Sequence, residues 1–200
     1  ANATKGVKYY PYALGKANEK RKLYITQHSM CTSLYKPNEE LIKLYNKFET
    51  AYLKEETEIE TITLDYFIKK NNIGEIDFIK IDVQGAELDV FQGGTKSLLN
   101  VLKVVCEVEF VPHYENQPLF GDICNFLIWL SSVCQASIVC IITIIKLGRA
   151  RCFVLVMHIE EQNKSKSNSI VLLNRIVRFI QKLKKFEESL INSFLFANVL

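Results

Sequence analysis

Residues 77–88, Asp-Phe-Ile-Lys-Ile-Asp-Val-Gln-Gly-Ala-Glu-Leu, constrain the fold more than any other stretch of the chain. Ile79, Ile81 and Val83 alternate with Lys80, Asp82 and Gln84, the period-two pattern of a strand made of β-prone residues. Gly85 supplies the backbone freedom that a tight turn requires. Glu87 then falls in the first turn of a helix, where a negative charge suits the dipole. In open α/β sheets, ligands bind in the crevice beyond the carboxyl ends of the strands. Asp82, Gln84 and Glu87 therefore stand where small-molecule chemistry is usually done.

The pattern continues downstream. Leu88 to Gln92 reads as a short amphipathic helix stopped by Gly93 and Gly94. Val101 to Phe110 is a second buried strand that ends in acids, and a loop through Pro112, His113 and Pro118 leads to a helix opened by Asp122. Three segments, TITLDYFIKKNNIGEIDFIKID, IDFIKIDVQGAELDVFQGG and EVEFVPHYENQPLFGDICNFL, closely resemble the FkbM family of S-adenosylmethionine-dependent methyltransferases. The resemblance runs in ordered succession over roughly residues 7–130, far more specific than one short motif.

What the resemblance implies is an α/β, class I methyltransferase-like (Rossmann-like) sheet that ends in a C-terminal antiparallel hairpin. It also implies S-adenosylmethionine as cofactor and methyl transfer to an oxygen of a sugar, glycan or small metabolite. Gln117 and Phe120 match the family's segment on the substrate side, although Phe120 reads equally well as core. Such families begin with an apolar strand and a GANxG-like loop, followed by a strand ending in a ribose-holding acid. Neither feature is present, and residues 7–14 look like the family's third strand. The expectation is a domain truncated at its N-terminus, over residues 1–160, with a helical extension over 161–200. Two alternatives stand beside methyl transfer: a non-catalytic remnant of the fold, and a membrane-associated protein of a saccharide pathway.

Methyl transfer from a sulfonium is an in-line displacement, so the protein aligns donor and acceptor and removes the acceptor's proton. Asp82, at a strand's carboxyl end, is the first candidate to hold the hydroxyl or act as base. Glu87 can reach the same place from the following helix. Glu107 and Glu109 alternate with Val108 and share a face, which gives paired carboxylates able to share a proton or a cation. Each has a plain structural reading as well: Asp82 capping the Gly85 turn, Glu87 satisfying its helix N-terminus, one of the pair merely exposed. His113 titrates in the useful range, yet a lone loop histidine is more often a surface residue. Asp82, Glu87 and Glu107 are the catalytic candidates; no cofactor-binding residue is assigned, and no metal is expected.

Composition narrows the partners. Twenty-five basic against 22 acidic side chains in 200 residues leave no nucleic-acid footprint. Six cysteines form no CxxC pair and no zinc spacing, so buried thiols and a reducing cytoplasmic setting are expected. The remaining expectations are local. Tyr9–Leu14 and Leu23–Thr26 read as strands joined by a charged Lys16–Lys22 turn, and Ser29–Lys36 as a polar loop, of the kind that the resemblance implies lies near the pocket. Asn38 caps a helix with Leu41, Leu44, Tyr45 and Phe48 on its apolar side. Glu58–Thr63 is a half-buried strand, and Asp65 caps Tyr66–Asn72. Residues 123–145 carry no charge and are long enough to span a bilayer. Central serines and the β-branched run 138–145 favour instead a helix to about Leu130, a turn, and strands to Lys146 and over Arg151–Ile159. Residues 170–200 carry an apolar stripe at helical spacing and a basic face.

Overall fold

Opposite charge builds the first sheet. In the computed structural model, which describes residues 7–44, 49–101, 103–134, 136–147 and 150–161, the strands β1 (Ala13–Leu14), β2 (Glu19–Thr26) and β3 (Leu53–Ile62) lie in the order β1-β3-β2. β2 runs antiparallel to β3, with Lys20 opposite Glu60 and Lys22 opposite Glu58. Lys22 Nζ meets Glu56 Oε2 at 2.9 Å on the same face. Unlike charges across a ladder stabilise the pairing, and this corrects two expectations. Lys20–Lys22 belong to a strand rather than a turn, and β3 begins at Leu53, five residues before Glu58. Only Ala13 and Leu14 of the expected Tyr9–Leu14 strand pair, in parallel with Thr61 and Ile62.

The short helices owe their ends to side-chain caps. Asn38 Oδ1 accepts from the Leu41 amide at 3.2 Å and opens α1 (Glu39–Ile42). That helix buries Ile42, while Leu44 is exposed; Tyr45 and Phe48 lie outside the described residues. α2 (Leu64–Lys70) is capped by Thr63, whose hydroxyl accepts from the Tyr66 amide at 3.1 Å. Asp65 does not cap it. After β4 (Phe78–Ile81) and α3 (Glu87–Gln92) comes α4 (Thr95–Leu98), and Asp65 accepts from the backbone amides of its Lys96 and Ser97 at 3.2 and 2.8 Å. A carboxylate serves a neighbouring helix start as well as its own, because the orphan amides of any first turn seek an acceptor.

The second sheet adds β5 (Lys103–Val108), which pairs in parallel with β4, Ile81 opposite Cys106. After α5 (Phe120–Cys134), the strands β6 (Ala136–Leu147) and β7 (Ala150–Glu161) pair antiparallel. The order is β4-β5-β7-β6, and β7 is antiparallel to both neighbours. α5 runs four residues past the expected Leu130 end, and β6, which holds the β-branched run 138–145, begins at Ala136. The uncharged stretch 123–145 is thus divided between a helix and a strand. Among the described residues no helix is long and apolar enough to cross a membrane. The expected helix over 170–200 lies outside the described residues.

One core holds this sheet. Val104, Cys106 and Val108 alternate inward from β5, and α5 presents Ile123, Leu127 and Leu130 at helical spacing. Val90, Phe91 and Leu98 complete the cluster, with Phe91 stacked on Phe126 at 6.3 Å. Each fully buried side chain of this size contributes about 1.5–3 kcal/mol. That packing sets α3 and α5 against the sheet and leaves the carboxyl ends of β4 and β5 side by side.

Candidate active site

β4 and β5 run in the same direction, so their carboxyl ends open at the same edge. Carried one residue beyond the Ile81–Cys106 pair, the register sets Asp82 across from Glu107. The chain then reverses through Gln84 (φ 55°) and Gly85 (φ 89°), two successive left-handed residues. Glycine is required at the second. A Cβ on Gly85 would stand 3.2 Å from Tyr114 Cδ2 and 3.3 Å from Gln117 Nε2, so the turn is packed against the loop after β5.

Gln84 reaches back over the edge. Its Nε2 donates to Asp82 Oδ1 at 2.8 Å and to Glu107 Oε2 at 3.4 Å. The other oxygen of Asp82 faces Lys80 Nζ at 3.5 Å, with 44% of the Asp82 side chain open to solvent. The Gln84 carbonyl accepts from Ser33 Oγ at 2.6 Å, and its Oε1 lies 3.3 Å from the Tyr114 hydroxyl. That hydroxyl makes its shorter contact, 2.9 Å, with the Cys31 carbonyl. Ser33 and Cys31 belong to the 29–36 loop, so this loop is tied directly to the turn.

Two more carboxyls lie beneath. Glu87 is 1% exposed and accepts from the Val83 amide at 3.0 Å, closing the turn on itself. Burial pushes its carboxyl up to about 7, and the charges of Glu107 and Asp82 add to the shift. Glu109, just past β5, is pushed to about 8, first by burial and then by the charges of Glu87, Glu107 and Asp82. A hydrogen bond from Gln117 Nε2 at 3.3 Å opposes that rise. Gln117 is itself buried, and its Oε1 accepts from the Tyr114 amide at 2.6 Å. The arrangement is two carboxyls raised toward neutral pH, Glu87 and Glu109, beside the exposed Asp82 and the half-buried Glu107.

Asp82, Glu87 and Glu107, the three candidates from the sequence, are brought to one edge, and Glu109 joins them. Gln117 comes as well. Phe120 opens α5, packs on the exposed Phe110 at 4.7 Å and lies partly buried against the core, its amide donating to the Glu109 carbonyl at 2.9 Å. Burial holds the His113 imidazole below its ordinary value. Sequence reasoning missed Ser33, Tyr35 and Tyr114, and the buried Asp89 that joins α3 to Tyr35 and Arg21. An acid set between the apolar Leu88 and Val90 was the available signal for Asp89. Among the described residues no three His, Cys, Asp or Glu side chains are arranged to hold a metal ion. An open cavity of about 540 Å³ lies elsewhere, between α2 and the start of β4, lined by Ile68, Lys69, Ile73, Ile76, Lys96 and Asn100 among others.

A family model described as the Methyltransferase FkbM domain matches residues 2–136, more than half of the chain. The protein belongs to the FkbM methyltransferase family. No curated protein and no solved structure matches it. The acidic edge just described lies wholly within the matched residues, as do the 29–36 loop and the turn at Gly85. The resemblance read from the three sequence segments is therefore the family of the chain, and the FkbM match takes in both sheets as far as the start of β6.

Proposed function

We propose that this FkbM protein transfers a methyl group from S-adenosylmethionine to a hydroxyl oxygen of a sugar, glycan or small metabolite. The observation that carries the reading is the meeting of Asp82, Gln84 and Glu107 at the carboxyl ends of two parallel strands, where α/β enzymes bind their ligands. The order β4-β5-β7-β6, with β7 antiparallel, supports a class I methyltransferase sheet.

The donor set at this edge suits the cofactor. It offers carboxylates and one carboxamide, a negative and hydrogen-bonding surface that favours a cationic sulfonium and amino group over an anionic ligand. Asp82 and Gln84 are the residues this edge presents to it. When bound, S-adenosylmethionine supplies an electrophilic methyl group. The chain's own part is to hold and deprotonate the acceptor. Asp82, the open carboxylate, accepts the hydroxyl's hydrogen bond and its proton. Glu107 stands beside it and holds the acceptor from the second strand. Glu87, with its carboxyl near 7, is poised to take up a proton at working pH.

Two assays test the reading. Calorimetry measures binding of S-adenosylmethionine to the protein, and label transfer from methyl-tritiated cofactor measures reaction with a panel of sugars and hydroxylated metabolites. The expected result is saturable binding together with label in an acceptor; Asp82→Asn is expected to keep the binding and to lose the label. Absence of both binding and label transfer overturns the reading.

A further inference from the structure

Asp82 and Glu107 set two like charges across adjacent strand ends, a pairing that repels unless something stands between them. The Gln84 side chain touches both, through a single nitrogen at 2.8 and 3.4 Å. A carboxamide nitrogen carries two protons and a carboxylate only accepts, so each proton serves one acid. This also fixes the orientation of the amide, because the reverse placement would aim its oxygen at two carboxylates. The oxygen instead faces the Tyr114 hydroxyl at 3.3 Å.

The backbone of Gln84 points the same way. Its φ of 55° belongs to a region where glycine is at ease and a long side chain is not. Ser33 Oγ holds the Gln84 carbonyl in that conformation from the 29–36 loop. The side chain is thus retained at a position where its backbone would be better off without it. We infer that Gln84 is the positioning residue of this site, its carboxamide clasping the carboxylates of Asp82 and Glu107 into one pair that faces the acceptor. The inference rests on the methyl-transfer reading for its consequence in the reaction, but not for its geometry.

The test uses Gln84→Gly, which suits the backbone and removes the clasp, and Gln84→Asn, which keeps the carboxamide one methylene too short. Thermal unfolding, methyl-transfer kinetics and nitrogen-15 NMR of side-chain amides are measured on the full chain. The clasp predicts that Gln84→Gly melts no lower than the parent while kcat falls about 10-fold or more, with KM for the acceptor changed far less. Gln84→Asn is expected not to restore kcat. A Gln84→Gly variant with kcat within twofold of the parent overturns the inference, as does a loss of kcat matched by a fall in melting temperature.

If the parent transfers no methyl group, the functional reading fails and the spectrum alone decides the geometry. The Gln84 side-chain amide signals, identified by their loss in Gln84→Gly, are expected to move in both Asp82→Asn and Glu107→Gln. Signals that respond to neither substitution overturn the clasp.

Discussion

Arg21 and Asp89 lie 68 residues apart in the chain and meet at 3.3 Å, Nη1 to Oδ2. Their contact joins β2 to the buried side of α3, and so couples the first sheet to the elements that carry the acidic edge. Tyr35 donates its hydroxyl to the same Asp89 oxygen at 3.2 Å, and burial pushes that phenol up to about 12, which keeps it a donor throughout the working range.

Breaking this triad from one side leaves the Asp89 carboxylate buried with half its partners. Arg21→Ala is expected to cost about 3 kcal/mol, since an uncompensated buried charge is the dominant penalty. Tyr35→Phe removes one hydrogen bond and is expected to cost about 1–2 kcal/mol. In a double-mutant cycle, Arg21→Ala with Asp89→Asn should cost clearly less than the two single changes added together. Urea unfolding curves decide it, and strict additivity would show that the two side chains do not interact.

Glu87 and Glu109 make the protein less stable in alkali. Both folded-state carboxyls sit above their ordinary value of 4.5, at about 7 and about 8. The folded state therefore keeps protons that the unfolded state has released. This contribution is fully present below about pH 4.5 and is lost as pH rises through 7 and then 8. For Glu87 the difference amounts to about 3 kcal/mol. Glu87→Gln keeps an acceptor for the Val83 amide and cannot ionise, so its denaturation midpoint is expected to fall less between pH 5 and pH 9. Parallel slopes for parent and variant would sink this account.

How much of this was legible in the sequence follows from which forces leave a local trace. Alternation of Ile79, Ile81 and Val83 with Lys80 and Asp82 marks β4, because burial on one face repeats along the chain. Asp82, Glu87 and Glu107 were readable for the same reason, since acids at the end of an apolar strand are locally conspicuous. β2 was half missed because Lys20–Lys22 owe their strand to acids more than 30 residues away, and nothing nearby announces such a partner. Asp65 was given to the wrong helix for a like reason: the amides it caps belong to α4, about 30 residues on. Gln84 was legible as a position at the strand's carboxyl end, and Tyr114 only as a residue type. Their roles come from a left-handed turn and a loop that meet in space.

Gly85 is a position where added bulk should fail. Its φ of 89° is strained for any other residue, and a Cβ would press on Tyr114 and Gln117 at 3.2 and 3.3 Å. Gly85→Ala is expected to destabilise by about 1–3 kcal/mol and to disturb the Tyr114 contacts to Gln84 and Cys31. Gly121 is the contrasting site: it lies in the first turn of α5 and a Cβ there meets nothing within 4 Å. Gly121→Ala should be neutral or stabilise by about 0.5 kcal/mol. Chemical denaturation of the two variants side by side provides the comparison, and equal midpoints would refute it.

The acids at the edge should separate by role. Asp82 is open to solvent and, among the described residues, accepts from Gln84 and Lys80, so Asp82→Asn is expected to fold as the parent does. Its kcat should fall about 10²–10⁴-fold, the range for loss of a positioned base, with cofactor affinity changed only a few-fold. Glu107→Gln keeps the shape of the side chain and loses its charge, and should lower kcat less. Glu87 contributes through its proton. A group with its midpoint near 7 that must be ionised gives a rate that rises with pH through 7 and then levels. Glu87→Gln is expected to abolish that limb, whereas Asp82→Asn lowers the whole profile. A pH–rate profile measured with saturating cofactor distinguishes the two, and a limb near pH 7 that survives Glu87→Gln removes Glu87 from the proton path.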